Sequence, residues 1–222
     1  VNADLLSQFA AGLWMTIQLL AVSAACGLAL AVPLALARLS KNPLLSWPAA
    51  AYTAFFRGTP LLVQIFLIYY GLAQFSFVRD SFLWIFLRES YPCALLALSL
   101  NMTAYVGEVV RGGILAVPRG ECEAALSVGM GPALLYRRIM LPRAFRLMLP
   151  ALSNEVVIQL KSTSLASTIT LLDVTGVARR IAAASYQTDP LFIAGGIYIV
   201  MTFLIARVFR FLEARLNRYQ AA

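Results

Sequence analysis

Long runs without a single charge limit what this chain can become more than any other feature. No charged residue occurs from Leu5 to Ala37, and a second uncharged run lies between Arg57 and Arg79, a third between Glu89 and Glu108. A hydrocarbon core about 30 Å thick is crossed by about 20 apolar residues in helical form. Each run can therefore span once, the first over about residues 12–37 with Pro33 near its end. A fourth span is expected over about residues 145–172, although it holds Glu155 and Lys161, and a fifth over about 191–206, before Arg207. Lipid offers backbone groups no hydrogen-bond partner, so spanning segments of this length are helices. The expected fold is all-α: one domain over residues 1–222, an integral membrane helical bundle of five transmembrane helices.

Composition agrees, with 61% hydrophobic and 13% charged residues. The net charge of +8 does not point to nucleic acid, because the basic residues are spread between apolar runs instead of gathering on one face. The chain has no histidine, which excludes a His-based hydrolase or zinc centre, and Cys26, Cys93 and Cys122 lack metal-type spacing. No metal or cofactor is expected on this chain. Val1 to Gln8 has no basic stretch before the first apolar run, which reads as mature sequence.

Five crossings put the two ends on opposite sides. One set of connections holds Arg38, Lys41, Arg57, Arg111, Arg119, Arg137, Arg138, Arg143, Arg146, Arg207, Arg210, Arg215 and Arg218; the other holds Arg79, Arg88, Arg179 and Arg180. Basic residues favour the cytoplasmic side, so the N-terminus is expected outside and the C-terminus in the cytoplasm.

That orientation makes the segment at about 119–143 cytoplasmic. It reads as two short helices: good helix formers over 121–128, an interruption at Gly129 and Gly131-Pro132, then 133–140 stopped by Pro142. A helical elbow with apolar and basic residues suits docking to a partner protein. A solvated loop helix is the plainer alternative.

Within the fourth span, an ionisable group deep in the bilayer costs several kcal/mol, so Glu155 is expected to face a partner or a water-filled path. Lys161 lies about 600° further around the helix, on another face, whereas Ser162 returns to the Glu155 face. Asn154, Gln159 and Thr163 widen the polar surface. Glu155 and Ser162, with Asn101 and Gln64 from neighbouring spans, form a candidate substrate path in which the carboxylate attracts a cationic group. Polar glue between helices is the alternative for Glu155. Arg57-Gly58-Thr59-Pro60 interrupts the inner end of the second span and is either a gate or an interfacial anchor. Gly107 and Gly112-Gly113, beside Glu108 and Arg111, suggest close helix approach with a charged pair. There is no GxxxxGK[ST] phosphate loop, so the chain cannot itself cradle ATP in the usual way.

Glu123-Ala124-Ala125, Gly129, and Ile139, Leu141 and Pro142 at their spacing resemble the coupling loop of ABC importer permeases. The runs from Phe56 to Gln64, from Tyr105 to Ile114 and from Asn154 to Leu165 are similar to the polar amino acid permeases of the histidine, glutamine and arginine type, with the opine and histidine branch nearest through Lys161-Ser162-Thr163-Ser164. Glu121 departs from the pattern, which often has glutamine there. Ser162 also departs, standing where arginine-type permeases often have an acid; this leaves a zwitterion or an opine open beside a basic amino acid.

The resemblance implies a type I importer. Its coupling helix would sit on one of two ABC ATPase subunits that carry ATP and Mg. A second permease, identical or homologous, and a periplasmic or surface substrate-binding protein would complete it, the latter docking near residues 74–88 and 173–189. The substrate would be a small polar amino acid or derivative, and the surroundings membrane lipid, with no nucleic acid and no catalytic residues. The alternatives from other classes are an ion-gradient-driven secondary transporter acting through Glu155 and a partner-independent channel.

Overall fold

The computed structural model describes residues 3–216, so Val1 and Arg218 lie outside the described residues. Among these, the regular structure is helical throughout. Helix α1 (Ala3–Leu39) carries Asp4 in its first turn and Arg38 in its last, each favourable to the helix dipole, and runs on past Pro33. Asn42 starts α2 (Pro43–Gly58): its side chain accepts the Leu44 N–H at 3.0 Å, and Pro43 takes a first-turn position where its missing N–H costs nothing.

The second span departs from expectation. Instead of one straight helix after Arg57, α2 meets α3 (Leu61–Phe66) and its continuation to Gln74 at a bend of 105°. Residues before proline are pushed out of the helical region, and Thr59, before Pro60, is extended at φ −115°, ψ 144°. Arg57 consequently stands at the end of α2 beside the bend, about 21 Å along the helix from Pro43.

Two short helices, α4 (Ser76–Arg79) and α5 (Trp84–Leu87), lead to α6 (Ser90–Leu115). This helix is the centre of the molecule. It runs beyond the expected span, so Glu108 and Arg111 are part of it. Small residues let α1 and α9 approach closely: a Cβ on Gly107 would lie 2.8 Å from Leu34 Cδ2, and one on Gly113 3.1 Å from Met148 Cβ. Gly112 has no neighbour within 4 Å, so only two of these three glycines serve close approach.

The elbow follows as α7 (Arg119–Ser127) and α8 (Pro132–Leu135), the latter continuing through a π turn (Tyr136–Met140) into α9 (Leu141–Ser162). Pro142 does not stop this helix, contrary to expectation. The proline lies in the first turn of α9 and the turn before it is widened, with the Leu141 N–H bonded to Tyr136 O, so the missing donor and the ring are accommodated.

At its far end α9 stops at Ser162, and Thr163–Ile169 is a 3-10 helix rather than more α-helix. The cause is local. Thr163, Ser164 and Thr168 hydroxyls bond to the carbonyls of Leu160, Lys161 and Leu165 at 2.7, 2.6 and 2.6 Å, competing with the backbone ladder.

Buried Asp173 then caps α10 (Val174–Ser185), accepting the Thr175 and Gly176 N–H groups, and also accepts from the Tyr198 hydroxyl. The expected docking loop at 173–189 is therefore largely a helix. The last element, α11 (Asp189–Leu216), continues well past Ala206 and buries only Pro190 and Ala194.

Among the described residues three helices, α1, α6 and α11, are long and apolar enough to cross a membrane, and the bent pair adds a fourth when its two arms are taken as one span. The charged α9 packs among them as the fifth long helix. One apolar cluster gathers Leu19, Ile65, Leu98 and Ile169, and another Ala31, Met102, Val106 and Leu152. Between them lies a polar layer: Gln159 donates to Ser23 Oγ at 2.8 Å and to Leu98 O at 3.2 Å.

Candidate functional site

A cleft of about 450 Å³ opens beside that polar layer, a volume suited to a small solute. The α2–α3 bend supplies Arg57, Gly58, Thr59 and Pro60; α6 supplies Asn101 and Tyr105; α9 supplies Glu155, Gln159 and Ser162. Glu155 and Ser162 thus share a face, as their seven-residue spacing requires. Lys161 points elsewhere, into a groove beside Tyr198 and Phe203 of α11.

Of the four residues expected to face substrate, Gln64 alone lies behind the cleft. It is buried, and its amide N–H groups reach Phe56 O at 2.9 Å, Thr59 O at 3.0 Å and Thr59 Oγ1 at 2.8 Å, while its Oε1 accepts from Asn101 at 3.0 Å. The side chain closes the 105° bend with groups left unpaired by the helix break, so its role here is to hold the bend. Asn101 does both jobs, bonding Gln64 and Phe56 O while lining the cleft. Thr163 is fully buried, and Asn154 is exposed outside the cleft.

Glu155, by contrast, is half-buried and makes no hydrogen bond or ion pair among the described residues; the Arg57 charge acts on it across the cleft. Below the bend a second glutamate is treated differently. Arg111 donates two N–H groups to Glu108 Oε2 at 2.9 and 2.8 Å, Arg38 donates to Oε1 at 3.2 Å, and Arg57 stands 4.0 Å from Oε2 with its guanidinium over the Tyr105 ring. The Glu108–Arg111 pair was legible from its three-residue spacing. Arg38 and Tyr105 were not, because the former comes from another helix and the latter reads as an ordinary boundary aromatic.

The elbow forms a separate site. Gly129 has φ +82°, its N–H bonds to Leu126 O, and the Met130 N–H bonds to Ala125 O. These two bonds make the left-handed helix stop that glycine favours. Glu123 and Ala124 are exposed on α7, Ala125 is buried, and Leu126, Val128 and Leu134 present apolar side chains to the outside. Ile139 is half-buried, whereas Leu141 and Pro142 are exposed. Glu121 pairs with Arg143 at 3.3 Å, which ties α7 to α9 and gives the unusual acid a structural partner.

The sequence matches the family described as binding-protein-dependent transport system inner membrane component over residues 7–218. It is 52% identical to the octopine transport system permease protein OccM of Rhizobium radiobacter over 203 residues, 91% of this chain and 83% of that protein. Identity is 49% to the nopaline transport system permease protein NocM of Agrobacterium fabrum, over 93% of this chain and 87% of that protein. It is 42% to the histidine/lysine/arginine/ornithine transport system permease protein HisM of Escherichia coli K12, over 92% and 87%.

Among solved structures, an amino acid ABC transporter crystallised with histidines superposes with a TM-score of 0.84 at 35% identity, covering 97% of this chain and all of that one. The inward-facing MetNI methionine ABC transporter shares the fold at a TM-score of 0.80, over 97% of this chain and 99% of that one, and 14% identity. The chain therefore belongs to the family of binding-protein-dependent transport system inner membrane components, and is a transport permease with the ABC importer fold.

Proposed function

We propose that this permease serves an ATP-driven importer of an opine or a basic amino acid. Two ATPase subunits, which carry ATP and Mg, hold the elbows of this chain and of a second, identical or homologous, permease. A substrate-binding protein delivers the solute from outside. The relatives named for octopine, nopaline and basic amino acids support the substrate class.

The observation that carries the coupling role is the elbow itself, a left-handed turn at Gly129 flanked by exposed Leu126, Val128 and Leu134. Apolar side chains set together on an exposed element mark an interaction surface. Glu123, Ala124, Ala125, Gly129, Ile139, Leu141 and Pro142 make up this coupling segment. ATP binding draws the ATPase subunits together, and the elbows carry that movement to the helices that line the cleft. Each conformation is favoured by the ligand it binds better.

The cleft at Glu155, Ser162 and Asn101 is the substrate path, with the Arg57–Pro60 bend as its gate. The N-terminus lies outside and the C-terminus in the cytoplasm; convergence of Arg38 and Arg111 on Glu108 agrees with their assignment to the same side. Family membership favours this reading over an ion-gradient-driven secondary transporter.

The test is binding of the purified ATPase subunit to wild-type permease and to Gly129→Val. A β-branched residue at φ +82° is strained, so the turn opens and binding falls about tenfold, with transport falling alongside. Equal binding and equal transport in both proteins would remove the coupling role.

A further inference from the structure

We propose that Arg57 is a specificity-determining residue of the cleft: it receives a carboxylate of the transported solute while Glu155 receives the cationic end. This rests on the reading of the cleft as the substrate path.

The first ground is an imbalance of charge. Three guanidinium groups surround Glu108, and its two oxygens are already engaged by Arg111 and Arg38 at hydrogen-bond distance. Arg57 is left at 4.0 Å, with no hydrogen bond of its own among the described residues. Its side chain is 45% exposed, against 26% for Arg38 and 31% for Arg111, and it lines the cleft, which they do not. The Tyr105 ring 5.2 Å from its guanidinium carbon holds one face and leaves the edge N–H groups to be used.

The second ground is what else faces the cleft. Thr59 and Asn101 are committed to Phe55, Phe56 and Gln64 in the lock of the bend. Among the described residues, Arg57 and Glu155 are the two charged side chains lining the cavity, one of each sign, on opposing elements. An amino acid carries both signs, and an opine adds a further carboxylate to the amino acid it is built on. Arginine's planar fork matches a carboxylate through two parallel hydrogen bonds, a match that a lysine would not reproduce. A cleft built only for a cation needs no such group.

The experiment is equilibrium binding to the purified permease–ATPase complex in lipid nanodiscs, which leaves the binding protein and its own selectivity out. The probes are octopine, arginine and agmatine, the last being arginine without its carboxylate. Wild type is expected to bind octopine or arginine about tenfold more tightly than agmatine. Arg57→Gln should abolish that preference by weakening the carboxylate ligands alone, and Arg57→Lys should keep part of it.

An unchanged preference in Arg57→Gln, an equal loss for agmatine, or no preference in wild type overturns the proposal. Should Arg57→Gln fail to assemble, Arg57→Lys decides: a reduced preference supports the role, and an undiminished one overturns it. Glu155→Gln separates the two levels. If it weakens none of the probes, or if wild type binds none, the cleft is not the path and both readings fall. If it weakens all three while the preference survives Arg57→Gln, only the role of Arg57 falls.

Discussion

Two glutamates sit in the helical interior of this permease, and they are held in opposite ways. Glu108 is only 14% exposed and has Arg38 and Arg111 on its two oxygens, with Arg57 nearby. Glu155, one cleft away, has no bonded partner among the described residues. A buried ion pair with satisfied hydrogen bonds fixes geometry, and removing one member leaves the others uncompensated. A carboxylate kept without a partner costs free energy and gives no rigidity, which is the condition of a group held ready for a ligand. The contrast separates a structural lock joining α1 and α6, set against the bend, from a binding surface on α9.

The comparison breaks most sharply at Glu108. Glu108→Gln leaves the guanidinium groups of Arg38 and Arg111 without their carboxylate, and a loss of about 3 kcal/mol is expected, read as a large drop in the melting temperature of the detergent-solubilised permease. A variant as stable as wild type would mean that the cluster is not a lock.

Arg38→Gln tests the same cluster more gently. It removes one 3.2 Å bond from a partly exposed side chain, while Arg111 keeps Glu108 paired; the expected loss is about 1 kcal/mol. A loss as large as that of Glu108→Gln would show that α1 contributes more to the lock than the geometry suggests.

The smallest loss of stability belongs to Glu155→Gln, which breaks no protein bond and removes an unpaired carboxylate, so it is expected to be at least as stable as wild type. Its effect is on uptake instead. In whole-cell transport assays basic solutes should lose more than neutral ones; an unchanged profile together with a lowered melting temperature would make Glu155 a structural residue after all.

Much of the fold was legible because its signals are local. Apolar runs located α1, α6 and α11, and the Gly129 and Gly131-Pro132 interruptions located the elbow. The errors also have local causes. Thr59 before Pro60 turned the second span into a bent pair that starts at Pro43, and hydroxyl groups from Thr163 onward ended α9 early. Hydropathy reports where a segment is apolar and not where its backbone ladder breaks. At the site, seven-residue spacing put Glu155 and Ser162 on one face, but the same polar signal in Gln64 led to the wrong side of the bend, since an amide that lines a cavity and one that closes a helix break look alike in sequence.

The sequence by itself determined the solvent of this protein, its helical class and the place of its elbow, because each depends on residues a few positions apart. Tertiary structure alone decided which cation meets which carboxylate: Arg38 finds Glu108 from 70 positions away, and Gln159 finds Ser23 from 136. Charge and polarity are properties of a residue, but being paired or left open is a property of the neighbours that folding brings to it.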